Sequence, residues 1–191
     1  LRRAIERIPA NAGLWSLLGS CQNQQGKTGE AIASLEQTLR LDSTNFSALG
    51  VLGLIYAGMD SIQRIQELYE RAIRLSDSAA IFLNNYAYTL AERGLDLAHA
   101  KQMAEKACAA EPENASFLDT MGWIFFKLGD NKSAIRWLRK ALKHEPRSAP
   151  IMEHLGDVHA AGGAKSKARG FYRKALKYDP QSESLRRKLD L

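Results

Sequence analysis

Cysteine is nearly missing from this chain. Cys21 and Cys108 stand far apart, too few for a disulfide framework, and free cysteine mostly behaves as a small buried hydrophobe. The compartment therefore stays open. Five prolines in 191 residues, with charged residues at 25%, argue against long disorder. No stretch reaches the roughly 18 apolar residues that a membrane-spanning helix needs. No signal peptide is visible, and the chain begins with Leu1 rather than Met. It reads as a piece of a longer protein, so missing targeting signals say little about location. A nucleotide loop is missing too. "QQGKTGEAIASL", residues 24–35, holds Gly-Lys-Thr, but the P-loop spacing puts its first glycine at Cys21. The preceding "NAGLWSLLGSCQNQQ" carries no β-branched run that would form the buried strand such a loop leaves.

What the chain does have is repetition, which should be sought before anything else. "GDNKSAIRWLRKALKHEP", from Gly129, and "GAKSKARGFYRKALKYDP", from Gly163, share "RKALK" and lie 34 residues apart. Pro112, Pro146 and Pro180 follow one another at the same interval; upstream, Asp77 and Ser43 stand in the proline register and Pro9 resumes it. The phase predicts a partial repeat at 1–11, full repeats at 12–45, 46–79, 80–114, 115–148 and 149–182, and a C-terminal capping helix at 183–191. The third repeat holds one extra residue, placed in its turn near Gly94. Each repeat carries two helical patterns. In the first helix, residues such as Leu118, Met121, Gly122 and Phe125 share one side. In the second, Ala134, Leu138 and Ala141 do the same. Proline ends the second helix, because it lacks a donor and clashes with the preceding turn. Hydrophobic residues at 45% suffice for a continuous core, and one hairpin cannot bury its apolar face without stacked neighbours.

These positions resemble the tetratricopeptide repeat, W-x2-L-G-x2-Y, then Ala, aromatic or Leu, Ala and Pro. The resemblance covers essentially the whole chain. Gln22 and His159 replace the tyrosine, and Thr38 replaces the second alanine, each at an expected cost in packing. The implied fold is all-α, a right-handed α-solenoid of helix-turn-helix repeats, and Gly26 then occupies an inter-helix turn. "FLNNYAYTLAERGLD", Leu-Asp-Thr-x-Gly-Trp from Leu118 and "EHLGD" from Glu153 are similar to bacterial cell-envelope repeat proteins, often lipid-anchored scaffolds. That resemblance favours the bacterial envelope or periplasm over the cytoplasm.

No catalytic constellation emerges, so no enzyme activity, cofactor or metal is expected. His154 and His159 are five residues apart and point about 140° apart around a helix. Neither cysteine has a predicted His and carboxylate neighbour. The resemblance implies instead that first helices line a concave groove that takes a protein or peptide segment. Carried over residue by residue, it assigns the groove to Asn84, Asn85, Tyr88, Asp119, Trp123, Lys127, Glu153 and Asp157. Aromatics supply contact area at binding hot spots, amides can pair with a peptide backbone, and the carboxylates would favour a basic ligand. Tyr88 and Trp123 could equally pack between adjacent first helices. Repeats one and two offer small, weakly polar walls. The carboxylate clamp of chaperone-tail binders is not expected, because its registers hold Ser16, Ser20 and Val51.

Charge is lopsided. Residues 131–191 hold fifteen Lys and Arg against six Asp and Glu, mainly on second helices, whose outer side should be convex. Such a face could meet anionic lipid, an acidic protein or simply solvent. Nucleic acid is disfavoured, because no aromatics are interleaved there for base stacking. Membrane contact would come only through this basic face or an upstream anchor. Two further readings stand beside the groove: self-assembly into a homo-oligomer through open repeat ends, and service as the regulatory or substrate-recruiting appendage of an enzyme outside this fragment.

Overall fold

The computed structural model of the chain describes residues 1–59, 61–75 and 79–189. Asp77, read above in a proline register, and residues 190–191 of the capping helix lie outside them. Two compact units, Leu1–Thr89 and Leu90–Leu191, divide the chain. The first holds α1 (Arg2–Arg7), α2 (Ala12–Gln24), α3 (Thr28–Leu41), α4 (Phe46–Gly58), α5 (Ile62–Leu75) and most of α6 (Ala79–Arg93). The second holds the end of α6, then α7 (Leu97–Ala110), α8 (Ala115–Lys127), α9 (Asn131–His144), α10 (Ala149–Ala161), α11 (Lys165–Leu176) and α12 (Glu183–Leu189). No strand occurs among the described residues. The architecture is all-α, built of helix-turn-helix repeats, the class of the tetratricopeptide α-solenoid.

Local signals start and stop these helices. Asn11, Asn45 and Asn114 are N-caps whose side chains accept backbone N–H bonds from the first turns of α2, α4 and α8. Such caps satisfy donors that the helix itself leaves orphaned. Between paired helices the chain turns through a left-handed residue: Gly26 at φ 73°, Gly129 at 83° and Gly163 at 76°. Glycine adopts this conformation without a Cβ penalty. Gly26 therefore ends α2, Lys27 is the N-cap of α3 and Thr28 its first residue, all exposed. The link between α6 and α7 has a second left-handed residue besides Gly94. Asp96, at φ 33°, caps α7 by accepting from the His99 N–H.

A close approach of helix pairs repeats within each unit. A Cβ placed on Gly156 would meet the Tyr172 ring at 2.2 Å, and one on Gly122 would meet Leu138 at 2.7 Å. Gly19 with Leu35 and Gly53 with Tyr69 show the same pairing in the first unit. A missing side chain on the first helix thus seats a large one on the second. Around these contacts Ala134, Leu138, Leu155 and Val158 form one buried cluster. Met152, Ala168, Tyr172, Ala175 and Leu185 form the next, with Leu189 packed against it, so α12 covers part of the last hairpin.

The tyrosine substitutions behave differently from a plain loss of packing. Gln22 is buried and wired: Ser34 Oγ donates to its Oε1 at 2.7 Å, and its Nε2 donates to Glu30 Oε2 at 3.0 Å. Thr38, also buried, donates to the Ser34 carbonyl at 3.1 Å. The first hairpin replaces ring packing with a satisfied polar network. His159 keeps the aromatic character, stacking on Phe171 at 5.5 Å.

Candidate functional site

The five second-unit residues assigned to the groove fall on α8 and α10, which pack together. Asp119 and Trp123 are one turn apart on α8, with Lys127 a further turn on. Glu153 and Asp157 share one side of α10. The other three, Asn84, Asn85 and Tyr88, lie on α6 in the first unit. Asn84 is buried and its Oδ1 has no partner. Asn85 and Tyr88 are half-buried, and the Asn85 carbonyl accepts from Thr89 Oγ1 at 2.8 Å.

The three carboxylates expected to await a basic ligand are already paired. His154 Nδ1 donates to Asp119 at 2.9 and 3.0 Å, with both side chains 12% exposed. Lys188 Nζ, on α12, donates to Glu153 at 2.7 Å and to Asp157 at 2.8 Å. Ser184 Oγ donates to the same Glu153 oxygen, and Tyr172 donates its hydroxyl to Asp157 at 2.9 Å. Two of these three ion pairs share one spacing. His154 lies 35 residues after Asp119, and Lys188 lies 35 after Glu153. A cation on the following helix reaches back to the carboxylate at the corresponding place one repeat earlier.

These contacts move the titrations. Burial pulls the His154 pKa down, but the Asp119 hydrogen bond and charge, helped by Asp157 and Glu92, outweigh it; the net shift is upward. Burial acts to raise Glu153, while Lys188 and Ser184 hold it below the usual carboxylate value. Burial acts to lower Lys188, while Asp157 and Glu153 hold it above the usual lysine value. Burial, then the bond to Asp157, raises the Tyr172 hydroxyl. Burial also pushes the Cys108 thiol up to about 11, so it is an inert neutral thiol at neutral pH.

Trp123 sits at the centre of this face. Its ring stacks on the His154 imidazole at 4.2 Å and 22°, Phe126 lies tilted at 5.0 Å, and Lys127 Nζ lies 5.0 Å from the ring centre. Lys127 also donates to the Glu92 carbonyl at 3.4 Å. Trp123 is 8% exposed and packs between α8 and α10, but its Nε1 has no hydrogen-bond partner. Sequence reasoning missed Lys188 as a site residue, and it did not pair His154 with Asp119. The signal for both was present: a cation 35 places after an acid.

The first-unit walls also depart from expectation. Ser16 is buried and Ser20 donates to its carbonyl at 3.0 Å. Beside them, Leu17 is 52% exposed and Leu54 69% exposed. The walls carry large apolar side chains, not only small and weakly polar ones. No group of three or more His, Cys, Asp or Glu that could hold a metal occurs among the described residues. None of the helices is long and apolar enough to cross a membrane, as far as the described residues go.

A family model described as "Tetratricopeptide repeat" matches residues 1–46 and 120–183, and the chain belongs to that family. It is similar to the TPR repeat-containing protein PA4667 of Pseudomonas aeruginosa, with 29% identity over 121 residues, 63% of this chain. The match spans 20% of that protein's length. A solved tetratricopeptide repeat protein of Parabacteroides merdae shares the fold at a TM-score of 0.81 and 16% identity, covering 99% of this chain and 73% of that one. PilW, a type IV pilus biogenesis factor, does so at 0.70 and 20% identity, covering 94% and 86%.

Proposed function

We propose that the chain is a scaffold that holds a protein or peptide segment against the faces of its first helices. Asn84, Asn85 and Tyr88 serve the first unit; Trp123 and Lys127 serve the second, with Asp119, Glu153 and Asp157 shaping its floor. The observation that carries this reading is the unpartnered Trp123 Nε1 beside Lys127. A buried donor without an acceptor costs about 1–3 kcal/mol. A backbone carbonyl of a bound segment that reached this edge of the ring would satisfy it. Ligand cations gain less here than free carboxylates would offer, because they must displace His154 or Lys188.

Asp157→Lys is a poor probe, since it would break the Lys188 and Tyr172 bonds that hold α12. Photo-cross-linking is better. A photoreactive residue at Lys127 or Tyr88 should capture the same partner in source cells, and one at Arg139 or Lys174 on second helices should not. Equal capture from both sets, or none from the first, would reject the first-helix face.

A second reading, self-association, has its own observation in the exposed Leu17 and Leu54. It predicts a mass that rises with concentration in light scattering and falls back with Leu54→Ser. A bacterial envelope location is favoured by the resemblance of the Asn84–Tyr88 and Glu153–Asp157 stretches, and PilW shares the fold.

A further inference from the structure

The eleventh residue of α2, α4 and α10 is a buried polar side chain: Gln22, Tyr56 and His159. Two of the three meet an acid. Gln22 Nε2 donates to Glu30 at 3.0 Å, and the Tyr56 hydroxyl donates to Glu36 at 2.9 Å. His159 meets none. It is 8% exposed, its ring is held against Phe171, and its Nε2 has no hydrogen-bond partner among the described residues.

The flanking helices explain the difference. Glu36 is the ninth residue of α3. Arg64, whose guanidinium lies 5.5 Å from the Tyr56 ring centre, is the third of α5. The ninth residue of α9 is Arg139, and the third of α11 is Lys167. An acid and a cation thus attend Tyr56, whereas two cations attend His159. Neither α9 nor α11 contains an acidic residue. Burial, then the charges of Lys167 and Arg139, hold the His159 pKa below the usual histidine value. Both cations are exposed, so solvent serves them. It does not serve the buried Nε2, and an unpaired buried polar atom is costly. The corresponding place on the first unit is open from outside. Glu36 is exposed, and with Tyr56 and Arg64 it lines a cleft of about 490 Å³.

We propose that Arg139, His159 and Lys167 form a site for one external carboxylate, standing to His159 as Glu36 stands to Tyr56. One oxygen accepts from the His159 Nε2–H, and Arg139 and Lys167 supply positive charge from α9 and α11. Two sources offer this chemistry: a small free acid, and a Glu or Asp side chain of a partner. The site is independent of the first-helix face in the proposed function.

Histidine-selective heteronuclear NMR of the 191-residue chain tests it. The His159 signals are assigned by their loss in His159→Phe, which keeps a ring against Phe171. Sodium acetate and the blocked peptide acetyl-Gly-Glu-Gly-amide are titrated at constant ionic strength, with the Gln peptide as a neutral control. Both carboxylates should shift the His159 resonance saturably and raise its proton affinity about tenfold. The Gln peptide should do neither. A lower Kd for the Glu peptide than for acetate would support the site with a partner side chain as the source; equal values would support it with a free acid. Arg139→Gln with Lys167→Gln should weaken both probes at least about tenfold. Arg139→Glu, which installs the counterpart of Glu36, should raise the His159 proton affinity by itself and abolish the response to both. A His159 signal indifferent to both carboxylates, an equal response to the Gln peptide, or an Arg139→Glu chain that still binds them would each overturn the site.

Discussion

The first helices of the two units share a backbone plan but not an exposed chemistry. α2 and α4 present Leu17 and Leu54, 52% and 69% exposed, beside a buried serine and glycines. α8 and α10 present Asp119, Trp123, His154, Glu153 and Asp157, nearly all engaged in stacking or ion pairing within the unit. Both pairs of hairpins rest on the same glycine-to-large contact, Gly53 with Tyr69 in one and Gly156 with Tyr172 in the other. The lesson is a division of labour along one helix. Positions facing the hairpin partner are constrained by packing. The other positions are free to be apolar and open, or charged and paired.

The largest effect expected from breaking this contrast is at Asp119. Asp119→Ala leaves His154 buried without its counter-charge and should cost about 3 kcal/mol near pH 6, read from urea unfolding. Leu54→Ser at a first-helix position of the other unit should stay within about 0.5 kcal/mol. A comparable loss at both would erase the distinction.

Next come the glycines. Gly156→Ala drives a methyl into the Tyr172 ring and should destabilise by about 2 kcal/mol. Gly50 is helical, and a Cβ there would meet nothing within 4 Å, so it should do the reverse. Gly50→Ala should stabilise by about 0.5–1 kcal/mol through helix propensity. Opposite signs in thermal melts would show that hairpin contact, not glycine as such, sets the constraint.

A smaller effect follows from pH. His154 has a raised pKa in the folded chain. Its pairing with Asp119 therefore contributes fully below the unfolded histidine value, and the contribution is lost as pH rises through the folded value. Wild-type stability should decline across that window, and Asp119→Asn should flatten this part of the profile. An unchanged slope in the variant would mean that the pair is not what titrates.

The smallest effect belongs to Lys188. Its side chain is 28% exposed, so solvent screens the pair, and Lys188→Ala should cost about 1 kcal/mol or less. A double-mutant cycle with Glu153→Ala should nonetheless show coupling, whereas Lys188 with Leu17 should show none.

Much of the fold was legible before any coordinates. The prolines at 112, 146 and 180 and the small-to-large spacing of Gly122 with Leu138 encode a helical hairpin locally. Gln22 shows what such reading misses. A polar residue at an aromatic register looked like lost packing, and became a satisfied network only with Ser34 and Glu30 in place. The site was less legible for the same reason. Asp119, Glu153 and Asp157 lie on first helices, yet their partners His154 and Lys188 lie a repeat away, a spacing visible only to a reader who asks which first helix comes next.

The amino-acid sequence alone determined the paired helices and the turns between them. Those depend on residues close in sequence: where a side chain is missing, where a donor is lacking, where a left-handed backbone is tolerated. Tertiary structure alone decided whether a polar first-helix side chain is available or spent. That choice is made between neighbouring helices, where a carboxylate, a cation and a ring compete for the same few ångströms and burial raises the cost of leaving any of them unpaired.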